Sequence, residues 1–464
     1  MPDPPPTLRE EQPSPKDNPT PVNSTPTKLA GWGNFPVHET LLCTPPAPSL
    51  DYSGSEPVLA RGEGKSYGDA SLNPGGLTIS TRHWDRFLSF DRDTGLLLCE
   101  AGTTLDAIIN HFLPRGWFVP VTPGTRLVSV GGAFACNVHG KNHHADKSFA
   151  QHVTRLELGL ADGTRQWCTP NDDLFWATAG GMGLTGIILR LEMRLIRVET
   201  SLIRQRSLVA RNLAEMLSLC AEYDSQYKYS VAWIDCLASG DSLGRGILML
   251  GEHATREELT KASLESPGGQ KLSVPIFAPG MLLNKFTITA FNELYFRLQK
   301  SKAGDSYLPV GPFFHPLDAI GTWNKLYGKR GFIQYQFVVP EAEAHAVVTE
   351  VLNRCRAEGW NSFLSVLKRF GEDSPPVSLS FPFPGVTLTL DVPVRNGLME
   401  FLELLDEIVL AAGGRVYLAK DARLSAESFR LMYPEFPAWL EVKRQVDPDW
   451  KFSSALSRRL AMEA

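Results

Sequence analysis

The sequence predicts an α+β fold of two domains behind a proline-rich leader. Three observations carry that expectation. The chain has 464 residues, which at about 100–200 residues per domain is material for two or three cores. Glycine clusters crowd residues 61–186, each beside an apolar run of β-like residues. From about residue 197 to 415 the pattern changes to helical stretches, such as 208–219 and 398–410, mixed with strand-like runs at 331–339 and 386–394.

Residues 1–30 hold nine of the 34 prolines with Ser, Thr, Asp and Asn, a composition that buries too little surface to order itself. They are expected to form a disordered leader without the apolar core of a signal peptide. The first glycine cluster, VLARGEGKSYGD at 58–69, follows a strand-like run. A nucleotide-triphosphate P-loop would need glycine five positions before Gly64, and Leu59 stands there, so that reading fails. What survives is a tight loop whose backbone N–H groups can approach an anion, or a plain turn.

The middle cluster, TPGTRLVSVGGAFACNVHGKNHH at 122–144, is the densest and ends in a polar set, Asn137, His139, Lys141, Asn142, His143 and His144. Missing side chains there let the main chain wrap a flat cofactor closely. A metal reading of Cys136, His139 and His143 lacks a second Cys/His pair or a Glu at ligand spacing, so no metal is expected. In the third cluster Gly181, Gly183 and Gly186 match the dinucleotide fingerprint as a string. That fingerprint opens a helix, whereas IILRLEMRL alternates like a strand, which excludes a Rossmann nicotinamide site.

Residues 274–296, VPIFAPGMLLNKFTITAFNELYF, are apolar and aromatic but interrupted by Pro, Gly, Asn and Lys285. They fall short of the roughly 18 apolar residues of a membrane span and read as a core segment with a loop, an interfacial membrane contact being the alternative. The tail after residue 413 ends in a helix-like stretch at 453–462. The net charge, 46 − 51 = −5, gives no reason to propose a nucleic-acid partner. Seven cysteines without a Cys-x-x-Cys pair suggest reduced thiols and a protein that is cytoplasmic or peripheral to the inner membrane, with no transmembrane helix.

The strings ARGEGKSYGD (60–69), PGTRLVSVGGAFACNVHGKNHH (123–144) and LFWATAGGMGLTGII (174–188) resemble the FAD-binding domain of the vanillyl-alcohol-oxidase and p-cresol-methylhydroxylase (PCMH) superfamily. FHPLD (314–318), GFIQYQFVVP (331–340), FPFPG (381–385), YLAKDAR (417–423) and VDP (446–448) extend the resemblance to its decaprenylphosphoryl-β-D-ribose 2′-oxidase family, from about residue 29 to 460. The resemblance implies an FAD domain at 31–196, an α/β substrate domain with an antiparallel sheet at 197–412, and a segment at 413–464 that returns to the FAD domain.

The resemblance also implies cofactor contacts. In the first loop these are Ala60, Arg61, Gly62, Glu63, Gly64, Lys65, Ser66, Tyr67, Gly68, Asp69 and Ala70. Further contacts are Gly124, Ser129, Val130, Gly131, Gly132, Cys136, Asn137, Val138 and His139, with Ile188 and Tyr417 beyond them. Many superfamily members tether the flavin through a histidine of the first loop; RGEGKSYGD has none and offers Tyr67, so the FAD is expected to be non-covalent. Acid precipitation of the protein should therefore leave no yellow colour in the pellet.

The reaction implied is oxidation of the 2′-hydroxyl of a polyprenylphosphoryl ribose to the ketone. This would be the first half of an epimerisation to the arabinose form for cell-wall arabinan, completed by an NAD(P)H-dependent keto-reductase. Such chemistry needs a base for the hydroxyl proton, and Lys420 is the first candidate, since a desolvated amine loses its proton more readily. Tyr67 and His139 are placed beside it as catalytic residues, and Lys141, Trp233, Gln334, Gln336, Lys368 and Thr389 as the substrate pocket. Gln334 and Gln336, two apart in a strand, share one face. Two departures alter the pocket lining: Thr389 replaces a cysteine and Phe314 a tyrosine of the actinobacterial enzymes. The alternative is a soluble sugar, alditol or aldonolactone oxidase, because a fold does not fix a substrate.

Overall fold

The computed structural model describes residues 24–50, 56–260, 263–266, 272–278, 285–362, 364–372, 375 and 377–463. Residues 24–30, expected to belong to the leader, instead form the strand Ser24–Ala30, paired antiparallel with Val37–Cys43 from Ser24↔Cys43 to Ala30↔Val37. Pairing satisfies a backbone that composition alone leaves unpartnered. Pro26, which has no N–H to give, is tolerated because this strand lies at the edge of its sheet. The rest of the leader, residues 1–23, lies outside the described residues.

That first sheet runs in the order Ser24–Ala30, Val37–Cys43, Leu77–Ser80, Val58–Arg61, its last three strands parallel. A second, antiparallel sheet of five strands is ordered Phe87–Phe90, Leu96–Glu100, Ile187–Arg194, Val153–Gly159, Arg165–Cys168. The strand Ile187–Arg194 follows the third glycine cluster directly, as its alternation predicts.

The third sheet has eight antiparallel strands, with Tyr229–Ile234, Ser365–Phe370, Gly385–Pro393 and Phe332–Val339 adjacent at its centre. All eight residues of Phe332–Val339 are buried, so both faces of the strand are covered. Helices Glu341–Ala357 and Leu398–Ala411 pack on one side. The second buries Leu398, Phe401, Leu402, Leu405 and Val409, an apolar stripe at helical spacing. The other side faces a cavity. Residues 208–210, expected to be helical, end the strand Leu202–Ala210; the helix Leu213–Tyr223 begins only after Asn212, whose side chain accepts from Glu215 N–H.

The tail touches both regions. Arg415–Val416 pairs with Phe332–Val339 at the edge of the large sheet. Val58 N–H donates to Lys451 O at 2.7 Å, and Trp439 Nε1–H to Ala177 O at 2.8 Å.

The expectation of a core segment at 274–296 is corrected. Residues 279–284 are outside the described set, and Lys285–Ser301 is a helix with two different faces. Ile288 and Asn292 are 3% and 1% exposed, while Phe286, Leu294 and Leu298 are 86%, 59% and 49% exposed. An amphipathic pattern with its apolar stripe turned outward cannot be told from a core helix by periodicity. Among the described residues no helix is long and apolar enough to cross a membrane.

Candidate active site

A cavity of about 390 Å³ opens between the glycine clusters and the bare face of the large sheet. The first loop is zipped to the segment after Arg415–Val416. Tyr67 N–H donates to Ala419 O at 3.0 Å and Asp69 N–H to Asp421 O at 3.3 Å, while the Arg459 guanidinium bridges Asp69 and Asp421 at 2.9 and 2.7 Å. A side chain at Gly68 would place its Cβ 1.6 Å from Asp421 O, so only glycine allows this approach. Tyr67 and Lys420 are thereby brought together, with Lys420 Nζ 3.8 Å from the Tyr67 ring centroid.

The loop suits FAD. Among the described residues the N–H groups of Glu63, Gly64, Lys65 and Ser66 donate no hydrogen bond, and all four residues line the cavity. Such a row of free donors is what a pyrophosphate needs. The helix Val130–Ala135 is not a second anion site, because the amides of Val130 and Gly131 are already given to Thr103 O and Ala101 O. Its glycines serve close approach instead: a Cβ on Gly131 would meet Ala101 Cβ at 2.9 Å.

Three lysines line this cavity, Lys368 from the strand Ser365–Phe370, Lys141 from the middle glycine cluster and Lys420 from the segment after Arg415–Val416. Burial pulls Lys141 and Lys368 down to about 7, Lys368 being further lowered by the charges of Lys141 and Lys420. Lys420 is lowered to about 8 by burial, against the pull of the Asp391 carboxylate. His139 sits among them, held well below its usual pKa by burial and by Lys368, and is therefore neutral. Its Nε2 is 3.1 Å from Gln336 Nε2 and its Nδ1 3.0 Å from Lys368 Nζ. Gln336 Nε2 donates to the imidazole Nε2, and the Nδ1 contact joins the ring to the Lys368 amine.

Trp233, Gln334, Gln336, Lys368 and Thr389 all line the cavity, with Phe314 beyond them, so both sequence departures are pocket positions. Gln334 and Gln336 do share a face. Tyr417 lines the cavity and donates from its hydroxyl to Cys136 O at 2.8 Å. Five expected cofactor contacts do not line it: Arg61, Gly68, Asp69, Val130 and Asn137. The Arg61 guanidinium bonds Ser71 and Ala30 O, and Asn137 bonds Ser380 Oγ and Ala150 N–H; these residues shape the walls. Among the described residues no three His, Cys, Asp or Glu side chains converge as metal ligands, and burial keeps Cys136 a thiol, its pKa pushed up to about 11.

Sequence reasoning missed Asp391, Tyr327 and Asp318. Asp391 Oδ1 accepts from Gln334 Nε2 at 2.6 Å and Oδ2 from the Tyr327 hydroxyl at 3.1 Å. Asp318 Oδ2 accepts from Arg126 N–H at 2.8 Å and lines the cavity. A signal for Asp391 existed: in VTLTLDVP the alternation that links Gln334 and Gln336 puts Thr387, Thr389 and Asp391 on one face.

Sequence comparison agrees with this geometry. Residues 52–169 match the FAD binding domain and residues 386–460 the D-arabinono-1,4-lactone oxidase domain. The decaprenylphosphoryl-beta-D-ribose oxidase of Mycolicibacterium smegmatis is 40% identical over 455 residues, covering 95% of this chain and 98% of that one. An uncharacterized protein of Streptomyces coelicolor is 35% identical over 77% of this chain and 100% of its own length. L-gulonolactone oxidase 5 of Arabidopsis thaliana is 20% identical over 87% of this chain and 74% of its own. With a loop built for FAD, a cavity holding a candidate base and near-complete coverage by such a relative, the chain belongs to the decaprenylphosphoryl-β-D-ribose oxidase family of FAD-dependent oxidoreductases.

Proposed function

We propose that this enzyme oxidises the 2′-hydroxyl of a polyprenylphosphoryl-β-D-ribose to the 2′-ketone, for onward reduction to the arabinose epimer by a separate NAD(P)H-dependent keto-reductase. The observation that supports a phosphorylated substrate is the wall of three buried lysines, Lys141, Lys368 and Lys420. Burial disfavours the protonated form of each amine, and an anionic phosphodiester beside Lys141 or Lys368 restores it with a charge-assisted hydrogen bond, which a neutral polyol or lactone does not. Residues 31–196 with 413–464 would hold the cofactor and residues 197–412 the substrate.

When bound, FAD supplies the two-electron acceptor. Lys420 as the free amine takes the hydroxyl proton, Gln334 and Gln336 orient the sugar, and neutral His139 fixes Gln336 and Lys368. The exposed apolar face of Lys285–Ser301 lies against a lipid surface, and Tyr295 of the same helix packs on Trp233 at the cavity, 4.7 Å between ring centroids. This contact supports a polyprenyl chain running beside its sugar.

Titration of the oxygen-free holoenzyme tests both parts. Polyprenylphosphoryl ribose should bleach the flavin bands at concentrations where ribitol and D-arabinono-1,4-lactone leave them intact; the reverse order overturns the substrate class. Leu294→Ser with Leu298→Ser should raise the amount of long-chain substrate needed several-fold and leave a short-chain phosphoryl ribose unaffected. An equal change for both removes the lipid contact.

A further inference from the structure

We infer that Asp391 is a positioning residue: from the neighbouring strand, on the same sheet face, its carboxylate holds the Gln334 amide so that the carbonyl oxygen faces the sugar, and the site reads one sugar hydroxyl as a hydrogen-bond donor. The inference rests on the substrate reading above.

Asp391 is fully buried and does not line the cavity, whereas Gln334, directly opposite it in the strand register, does. A carboxylate only accepts, so the 2.6 Å contact from Gln334 Nε2 to Asp391 Oδ1 fixes which end of the amide points back. The same amide nitrogen faces the Tyr67 hydroxyl. Gln334 Nε2 is thus committed to Asp391, and among the described residues no hydrogen bond to its Oε1 is made. The remaining groups around Asp391 keep it in place. The Tyr327 hydroxyl donates to Oδ2, Asp391 N–H donates to Ser362 Oγ at 3.0 Å, and Cys236 Sγ donates to Ser362 O at 2.7 Å.

The lock depends on charge. Burial raises the Asp391 carboxyl to about 6, while Gln334, Tyr327 and Lys420 oppose the rise. Above that pH the ion accepts from Gln334 and Tyr327 together. Below it the carboxyl carries a proton, becomes a donor on one oxygen, and frees the amide to turn. In Asp391→Asn a single oxygen must serve Tyr327 and Gln334, so when Tyr327 keeps it the new NH₂ group faces Gln334 and reverses the amide.

The test uses flavin-loaded enzyme and polyprenylphosphoryl ribose. D391N should retain flavin and its spectrum, raise KM roughly tenfold to a hundredfold, as for one mismatched buried hydrogen bond, and lose the rise in KM that wild type shows as pH falls through about 6. In a Gln334→Met background D391N should change KM less than about twofold, because the amide it acts through is gone. Tyr327→Phe, which leaves the carboxylate, should move the acid limb to higher pH. An acid limb that persists in D391N, or an undiminished KM effect in the Gln334→Met background, overturns the proposal. Infrared difference spectra between about pH 5 and about pH 7 need no substrate and report the carboxyl directly: a protonated carboxyl band present in wild type and missing in D391N supports the lock, and its absence from wild type overturns it. A wild-type flavin that the substrate fails to reduce would defeat the substrate reading instead, with the infrared result unaffected.

Discussion

Lys420→Met should lower the rate of flavin reduction by about 10²–10⁴, the range lost when a general base is removed, while the protein keeps its yellow colour. The amine lies over the Tyr67 ring in a cavity wall, and burial has already brought its pKa to about 8. The sign of the pH dependence follows. The base must be unprotonated, so the rate of flavin reduction at saturating substrate rises with pH and levels off above about 8, and this limb disappears in the variant. Lys420→Arg separates base from charge: guanidinium keeps the positive charge at every working pH but cannot accept a proton. It should be as slow as Lys420→Met while still binding the anionic substrate. A Lys420→Arg enzyme that reduces its flavin at the wild-type rate removes Lys420 from proton transfer and leaves it as an anion contact only.

Much of this site was legible in the residues because glycine and lysine mark it by type. The first loop had to be small-residue backbone whatever it bound, and the structure explains why at Gly68, where Asp421 O occupies the space of a side chain. Gln334 and Gln336 could be assigned to one face from a spacing of two. What stayed hidden is what pairing and packing decide. Ser24–Ala30 orders only because Val37–Cys43 lies alongside it. The helix Lys285–Ser301 turns an apolar stripe outward, which no periodicity distinguishes from a core stripe. Asp391 was passed over because a single acidic residue in a strand announces nothing until its cross-strand partner is known. Arg61 and Asp69 read as cofactor contacts by position, yet they hold the loop from behind, through Ser71 and Ala30 in one case and Arg459 in the other.

Lys443→Met should be the most destabilising single change, by about 3–5 kcal/mol, because it strands a buried charge. Lys443 and Asp447 are both 0% exposed. The lysine donates to Asp447, to Leu184 O at 2.7 Å and to Phe452 O at 3.0 Å. Asp447 in turn accepts from Lys451 N–H at 2.7 Å and Phe452 N–H at 2.8 Å. One ammonium therefore ties the tail helix Phe436–Val446 to the third glycine cluster, whose Met182 and Gly183 line the cavity. Without it a carboxylate and two carbonyls lie buried with less than their full set of donors, in a protein whose whole stability is on the order of 5–15 kcal/mol. The denaturant midpoint should fall steeply, and flavin should be released at lower denaturant than the sheets melt, since the cavity floor loosens first. The double variant Lys443→Met with Asp447→Asn separates charge from packing. A neutral amide leaves no ion unpaired, and although its one oxygen can serve only one of the two N–H groups that Oδ1 and Oδ2 take separately, one lost hydrogen bond costs less than a stranded buried charge, so the double variant should be more stable than Lys443→Met alone. If the two are equally unstable, the loss is one of packing around the aliphatic stem, and the ion pair contributes nothing to holding the tail against the cofactor site.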